Sequence, residues 1–174
     1  AIAQKIKEGN KRGIIWHTQG SGKTALAYYN VKHLQDYFQK ENTIPKFYFI
    51  VDRLDLLKQA KTEFINRGLS VNIVNSKQEF VSDIKKASAL HNSSGNNEIT
   101  VVNIQKFSEE SSSEAINDYD INIQRVYFLD EVHRSYNPKG SFLANLINSD
   151  KNAIIIGLTG TPLITKNLYS KDLF

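Results

Sequence analysis

The sequence predicts a doubly wound α/β domain, in which a mainly parallel sheet is flanked by helices. Short runs of continuously apolar residues alternate along the chain with amphipathic stretches of helical spacing. Continuous apolar strands separated by helices are typical of a parallel sheet that is covered on both faces. A length of 174 residues suits one such domain. Because ligands of these folds bind beyond the carboxyl ends of the strands, we expect the functional residues there.

Six strands and five helices account for the alternation. Apolar runs bounded by turn residues predict strands at Gly13–Trp16, Phe47–Val51, Val71–Val74, Thr100–Val102, Val126–Leu129 and Ala153–Leu158. Helical spacing and capping residues predict helices at Ala1–Glu8, Lys23 to about Lys40, Leu54–Arg67 with Gly68 closing it, Ser76 to about Ala89 with Ser76 as cap, and Ser141–Asn148. We interpret the side chains of Trp16, Tyr28 and Tyr29 as packing residues, and those of His33 and His91 as solvated.

The composition excludes several kinds of site. The chain has no cysteine, which excludes disulfides, thiolate zinc sites, iron–sulfur ligation and cysteine nucleophiles. No two of its four histidines stand at metal-ligand spacing. No apolar run approaches the roughly 18 residues of a membrane span, and the first residues lack a signal-peptide core, so we expect a cytoplasmic protein. The net charge of +4 permits a polyanionic partner without requiring one.

The stretch His17-Thr-Gln-Gly-Ser-Gly-Lys-Thr24 is similar to a phosphate-binding loop, because it joins an apolar strand to a helix and ends in Gly-Lys-Thr. The strict pattern has glycine where this chain has His17, so the match is partial. Glycines let backbone N–H groups turn toward phosphate oxygens at the positive end of the helix. Lys23 can reach the β- and γ-phosphates, and the Thr24 hydroxyl can bind Mg²⁺. The residues predicted to bind the nucleotide are Gly20, Ser21, Gly22, Lys23 and Thr24.

Two acidic residues, Asp130 and Glu131, directly follow the apolar strand Val126–Leu129. In P-loop ATPases the first acid completes the Mg²⁺ shell, and the second is placed to orient and deprotonate the attacking water. Adjacent carboxylates repel each other, and a bound cation relieves that repulsion. The loop and the acidic pair together predict a nucleoside triphosphatase that activates water, with Lys23, Asp130 and Glu131 as its catalytic residues.

These motifs carry a resemblance to a known group of motors. Asp130-Glu-Val-His133 resembles the DEAH-type box of superfamily 2 helicases and translocases. Within that group, the chain resembles the motor (R) subunit of type I restriction endonucleases over almost its whole length. The stretches that carry this resemblance are Ile15–Thr24, Phe49–Leu54, Thr100–Gln105, Asp130–Ser135 and Gly157–Pro162. Val132 replaces the commoner alanine of the box, which leaves its acids in place.

The resemblance implies that residues 1–174 form one RecA-like P-loop domain of a larger motor subunit. The nuclease domain and the second RecA-like domain, which supplies an arginine finger, would lie outside this fragment. ATP hydrolysis with Mg²⁺ would pull double-stranded DNA before a separate nuclease domain cleaves it. The expected partners are the methyltransferase and specificity subunits of a restriction complex in the bacterial cytoplasm.

The same resemblance implies roles for further residues. Thr159, Gly160 and Thr161 match the motif that couples hydrolysis to movement on DNA, and His133 would link them to the acidic box. The residues that fall near the DNA path are Arg53, Asn103 and Gln105, with Lys106 a weaker candidate. Such motors mostly bind backbone phosphates, so these contacts would give affinity without reading the sequence. Arg53 could instead cap its helix, and Asn103 could be a turn residue.

Three other functions stay open at the level of sequence. Another superfamily 2 motor, such as a repair helicase or an RNA helicase, would differ in its response to single-stranded nucleic acid. A P-loop kinase would transfer phosphate to a small molecule, although Glu131 and the Thr-Gly-Thr-Pro stretch at 159–162 argue against it. A nucleic-acid-binding module that has lost turnover would bind DNA irrespective of ATP.

Overall fold

The computed structural model describes residues 2–18, 22–86, 90–105, 122–131 and 150–160, and the backbone of 164–165 and 168–169. The helices within these ranges are α1 (Ile2–Lys7), α2 (Lys23–Lys40), α3 (Leu54–Asn66) and α4 (Lys77–Lys85). The strands are β1 (Arg12–Trp16), β2 (Ile44–Val51), β3 (Ser70–Val74), β4 (Glu98–Asn103), β5 (Ile123–Asp130), β6 (Ile154–Thr159), β7 (Ile164–Thr165) and β8 (Leu168–Tyr169). All six predicted strands are present. The predicted helix at Ser141–Asn148 lies outside the described residues.

Strands β1 to β6 form one sheet in the order β1-β6-β5-β2-β4-β3. Every neighbouring pair is parallel, so the predicted doubly wound α/β class is confirmed. Because all six strands point the same way, their last residues meet along one side of the sheet, which we name the carboxyl edge. The segments that follow β5, β2 and β4 leave the sheet beside one another there. This arrangement brings distant parts of the sequence to one place.

Alternate residues of the central strands pack into two separate apolar clusters. Phe47 and Phe49 of β2 pack in the cluster to which α1, α2 and α3 contribute. Tyr48 and Ile50 belong to the opposite cluster, which contains Phe80 of α4. Full burial of a large apolar side chain contributes about 1.5–3 kcal/mol. The continuous apolar run of β2 is therefore explained by helices that cover both of its faces.

The ends of two helices follow the predicted capping chemistry. The Ser76 hydroxyl accepts a hydrogen bond of 3.2 Å from the backbone N–H of Glu79, which caps the start of α4. Gly68 follows α3 with a φ of 89°, the left-handed conformation that favours glycine. The predicted extension of α4 to about Ala89 is wrong, because the backbone of Lys86 is extended and the helix ends at Lys85.

Two further features differ from the predictions. Trp16 is 66% exposed rather than packed in the core, because β1 is an outer strand of the sheet and its last residue projects beyond the apolar clusters. Tyr29 is also exposed, whereas Tyr28 packs against the core. The antiparallel pair of β7 and β8 was not predicted, since two-residue strands are too short to show an alternating pattern.

A polar network lies at the opposite side of the sheet and includes His91, which is exposed as predicted but also contacts two buried acids. Its side chain is 25% exposed, and its two ring nitrogens face Asp83 Oδ1 and Glu98 Oε1, the latter at 2.5 Å. The second oxygen of Asp83 accepts a 2.8 Å hydrogen bond from the Tyr48 hydroxyl. Lys46 Nζ lies 3.3 Å from the same oxygen. The histidine thus joins α4 to the first residue of β4.

Among the described ranges, we find no helix that is both long enough and apolar enough to cross a membrane.

Candidate nucleotide-binding site

Lys23 lies at the carboxyl edge as the first residue of α2, directly after Gly22. Gly22 has a φ of 87°, a conformation that L side chains rarely adopt, so the bend into the helix favours glycine. The Lys23 ammonium donates a hydrogen bond to Glu131 Oε1 and lies 3.3 Å from Asp130 Oδ1. The three side chains are only 11% to 17% exposed, so water screens these charges weakly. The structure therefore brings the predicted loop lysine to both acids of the box.

Glu131 is held in an unusual backbone conformation by contacts at both ends of the residue. Its φ of 50° is left-handed, which for a residue with a side chain persists only where the surroundings enforce it. Its backbone N–H donates to the carbonyl of Leu158 at 3.0 Å. Its carboxylate accepts hydrogen bonds from the Thr159 hydroxyl at 3.3 Å and the Gly160 N–H at 3.0 Å. One side chain thus joins the start of α2 to the end of β6.

Asp130 is a buried acid whose carboxylate oxygen Oδ1 faces Lys23. Burial raises the pKa of its carboxyl group, the Lys23 ammonium opposes that rise, and the charges of Glu131 and Asp52 add to it. Within the described part of the chain, Asp130 Oδ1 accepts no hydrogen bond of ordinary geometry, although Lys23 Nζ is 3.3 Å away. A buried carboxylate oxygen of this kind suits a hard divalent cation such as Mg²⁺.

The described residues would supply only part of the coordination shell of such a cation. No cluster of three histidine or acidic side chains within the described ranges is arranged to hold a metal by itself. Thr24, the second residue of α2, lines the same cleft as Asp130 and offers a hydroxyl. Mg²⁺ commonly takes one or two protein ligands and completes its octahedron with phosphate oxygens and water. Thr24 and Asp130 fit that pattern.

A cleft of about 400 Å³ opens between the start of α2, the end of β5 and the β2–α3 junction. Its lining includes Lys23, Thr24 and the acidic pair, together with Asp52 and Arg53. Asp52 is a site residue that sequence reasoning missed. Its position directly after an apolar strand, like that of Asp130, was the available signal.

Several predicted site residues lie outside the described residues: Gly20, Ser21, Lys106, His133 and Thr161.

The predicted DNA-contacting residues lie along the carboxyl edge but differ in accessibility. Arg53, at the start of α3, has a side chain that is 55% exposed, and within the described helix it makes no capping hydrogen bond. Asn103 is buried, and its side-chain oxygen accepts a 3.0 Å hydrogen bond from the backbone N–H of Gln105. Gln105 is exposed. These contacts favour the turn interpretation of Asn103 and leave Arg53 and Gln105 accessible to a partner.

Trp16 also contributes to the site, through a contact that the sequence did not reveal. Its indole N–H donates a hydrogen bond of 3.2 Å to the carbonyl of Gly160. The backbone N–H of His17 donates at 3.0 Å to the carbonyl of Thr159. The strand that enters the phosphate loop is therefore fixed to the residues that hold Glu131.

Comparison with known proteins assigns the chain to a family. The sequence profile of the ResIII family, described as "Type III restriction enzyme, res subunit", matches residues 1–164. The endonuclease subunit of a type I restriction enzyme from Staphylococcus saprophyticus is 32% identical over 171 residues, which cover 96% of this chain and 17% of that protein. A corresponding subunit from Staphylococcus aureus is 29% identical with the same coverage. The chain thus spans about a sixth of the length of these relatives.

A solved structure shows the same fold. It is that of a nuclease-deletion mutant of the type ISP restriction-modification enzyme LlaGI in complex with a DNA substrate mimic. The match has a TM-score of 0.57 at 18% identity and covers 98% of this chain and 18% of that one. Since the family profile covers most of the chain and the curated relatives are restriction enzyme subunits, the predicted resemblance is confirmed, and the chain belongs to the ResIII family of restriction enzyme subunits.

Proposed function

We propose that this domain binds and hydrolyses ATP as one half of a DNA translocase motor in a type I restriction enzyme. The observation that carries the proposal is the ion pair of Lys23 with Glu131, which joins the phosphate loop to the acidic box at the carboxyl edge. A lysine after a glycine bend and two acids after a neighbouring strand are the parts that phosphoryl transfer to water requires. Family membership and relatives described as endonuclease subunits support the restriction role.

Each polar side chain has one task in the proposed reaction, ATP + water → ADP + phosphate. Lys23 binds the β- and γ-phosphates, assisted by the backbone amides of the loop at 20–22. Thr24 and Asp130 would hold Mg²⁺, which when bound would neutralise charge on the phosphate oxygens. Glu131 orients the attacking water and accepts its proton. A phosphate bound by Lys23 competes with Glu131 for the ammonium, and so frees that carboxylate for the water.

The contacts of Glu131 also suggest how the reaction is coupled to movement. Thr159 and Gly160 donate hydrogen bonds to the carboxylate that would act on water. A shift of these residues would therefore change the orientation of the proposed base. We assign Thr159 and Gly160, together with His133 and Thr161, to the coupling of hydrolysis with motion.

Double-stranded DNA would cross the carboxyl edge beside the cleft. Arg53 and Gln105 would contact its phosphates, while Asn103 shapes the turn that presents Gln105. A protein of the same fold has been solved with a DNA substrate mimic, which supports DNA as the partner. The longer protein would add a nuclease domain and a second RecA-like domain whose arginine completes the site. It would act with methyltransferase and specificity subunits in the bacterial cytoplasm.

The deciding experiment measures phosphate release by the intact protein with linear duplex DNA, with single-stranded DNA and without DNA. We expect duplex DNA to stimulate release. Lys23→Ala should abolish release without loss of folded structure, because its charge contacts the transferred phosphate. Lys40→Ala, at the exposed last turn of α2, is the matched control and should keep the wild-type rate.

Three results would contradict the proposal, each in a different way. Stimulation by single-stranded nucleic acid alone would indicate another superfamily 2 motor. Transfer of phosphate to a small molecule without free phosphate would indicate a kinase. DNA binding that is indifferent to ATP, with no release at all, would indicate a binding module without turnover.

A further inference from the structure

Asp52 is an acidic residue of the cleft to which neither the motifs nor the family comparison assigns a role. It directly follows β2, the strand that pairs with β5, and the last pair of that ladder is Ile50 with Leu129. Asp52 and Asp130 therefore leave neighbouring strands at the same edge. Asp52 is only 9% exposed, and it lines the cleft with Lys23, Thr24 and Asp130.

The described lining of this cleft carries more negative than positive charge. Its four carboxylates belong to Asp52, Glu63, Asp130 and Glu131, and its two cationic side chains to Lys23 and Arg53. Lys23 already forms ion pairs with both acids of the box. A nucleoside triphosphate brings several further negative charges. Without a cation, the cleft would repel such a ligand at close range, where low dielectric strengthens the repulsion.

Position distinguishes Asp52 from Glu63, the fourth acid. The Glu63 carboxylate accepts a 3.0 Å hydrogen bond from Arg67, one helical turn further along α3, and its side chain is 29% exposed. Its charge is thus partly neutralised and partly screened. Asp52, by contrast, lines the cleft beside Asp130 and directly follows the strand that pairs with β5.

We propose that Asp52 is a positioning residue that makes the cleft selective for magnesium-bound nucleotide over free nucleotide. It would act through the water molecules that Mg²⁺ retains, because the ion commonly takes only one or two protein ligands, a number that Thr24 and Asp130 would already supply. The inference rests on the proposed ATP site and deepens it. Outer-shell partners of this kind commonly change metal affinity by about 10-fold to 100-fold when removed.

The test is the binding of a fluorescent ADP to the intact protein, titrated once in EDTA and once in Mg²⁺. The readout is the ratio of the two dissociation constants, which a general loss of stability would not change selectively. Asp52→Asn should lower the ratio of the dissociation constant in EDTA to that in Mg²⁺ by about tenfold or more. Binding in EDTA should be unchanged or tighter. Asp52→Glu, which keeps the charge, should restore part of that ratio. Glu63→Gln is the matched control and should keep the wild-type ratio.

The outcomes separate this inference from the proposed function. Wild-type protein that binds no nucleotide in either condition, or Lys23→Ala that binds as the wild type does, would overturn the nucleotide site itself. Normal wild-type binding with the same ratio for Asp52→Asn and Glu63→Gln would overturn the role of Asp52 alone. If Asp52→Asn does not fold, Asp52→Ser is a second neutral variant for the same measurement. An unchanged ratio of dissociation constants for Asp52→Ser would equally overturn the role of Asp52.

Discussion

Lys23 and Glu131 form an ion pair at the carboxyl edge of the sheet, although 108 positions separate them in the sequence. One belongs to the first turn of α2 and the other to the bend after β5. Because Thr159 and Gly160 donate to the same carboxylate, three segments of the chain meet at one side chain. Charge-assisted hydrogen bonds are roughly twice as strong as neutral ones, so this junction stabilises the arrangement of the site in the absence of nucleotide.

Glu131→Gln should separate nucleotide binding from turnover. The amide keeps one oxygen for the Gly160 N–H, and the Thr159 hydroxyl can turn to accept from the new amino group. The geometry should therefore survive, while the base for the attacking water is lost. We expect ATP to bind and persist, with turnover by the intact protein lowered about 10²-fold to 10⁴-fold. A loss of less than about tenfold in steady-state phosphate release would contradict the general-base role.

Asp130→Asn should stabilise the fold while it damages the cation site. The carboxylate oxygen Oδ1 is buried without a hydrogen bond among the described residues, and burial is the largest cause of the raised pKa of Asp130. An amide of the same shape removes the desolvated charge. Urea denaturation at neutral pH should show a free energy of unfolding that is higher than that of the wild type by on the order of 1 kcal/mol. Nucleotide binding should lose its dependence on Mg²⁺. A variant that is less stable than the wild type would show that the Lys23 pair outweighs burial.

His91→Ala should destabilise the fold without changing nucleotide binding. The ring nitrogens face the carboxylates of Asp83 and Glu98, which are 3% and 4% exposed, so the truncation leaves two buried acceptors short of a partner. We expect a loss of about 1–3 kcal/mol in the free energy of unfolding. His33→Ala, on the exposed side of α2, is the matched control and should stay within about 0.5 kcal/mol of the wild type. Equal losses for the two variants would exclude the structural role of His91.

Removing one partner of the buried pair of Arg125 and Asp150 should destabilise the fold strongly. Replacing both partners with apolar residues should not. Arg125 Nε donates to Asp150 Oδ2 at 2.5 Å, and both side chains are at most 2% exposed. Asp150→Asn leaves a buried guanidinium short of its counter-charge, with an expected loss of about 3–5 kcal/mol. The double variant Arg125→Met with Asp150→Leu should recover most of that loss. Additive losses in the double-mutant cycle would show that the pair is not coupled.

The sequence predicted the parallel sheet because its strands are buried on both faces, which leaves continuous apolar runs such as Phe47–Val51. The helix ends marked by Gly68 and Ser76 could be predicted equally well, because these residues act through local backbone geometry. The catalytic candidates were found for the same reason, because Lys23 and Asp130 lie within short motifs. These features depend on neighbours in the chain.

What the sequence did not reveal depends on neighbours in space. The exposure of Trp16 follows from the outer position of β1, which no local pattern specifies. The role of His91 required Asp83 and Glu98 to approach it from α4 and β4. Asp52 differs from other acids only because β2 lies beside β5. Strand order, rather than strand identity, was the missing information for Trp16 and Asp52.

The hydrogen bond from the Trp16 indole to the Gly160 carbonyl has an optical consequence. Trp16 is the single tryptophan among these 174 residues, and its ring is mostly exposed to water. We expect its emission to respond to the polar contact that the described residues make with the indole N–H. Gly160 also donates to Glu131, so a displacement of that carboxylate is transmitted to the fluorophore through a single glycine. The domain carries a built-in probe of its own acidic box, readable without a label.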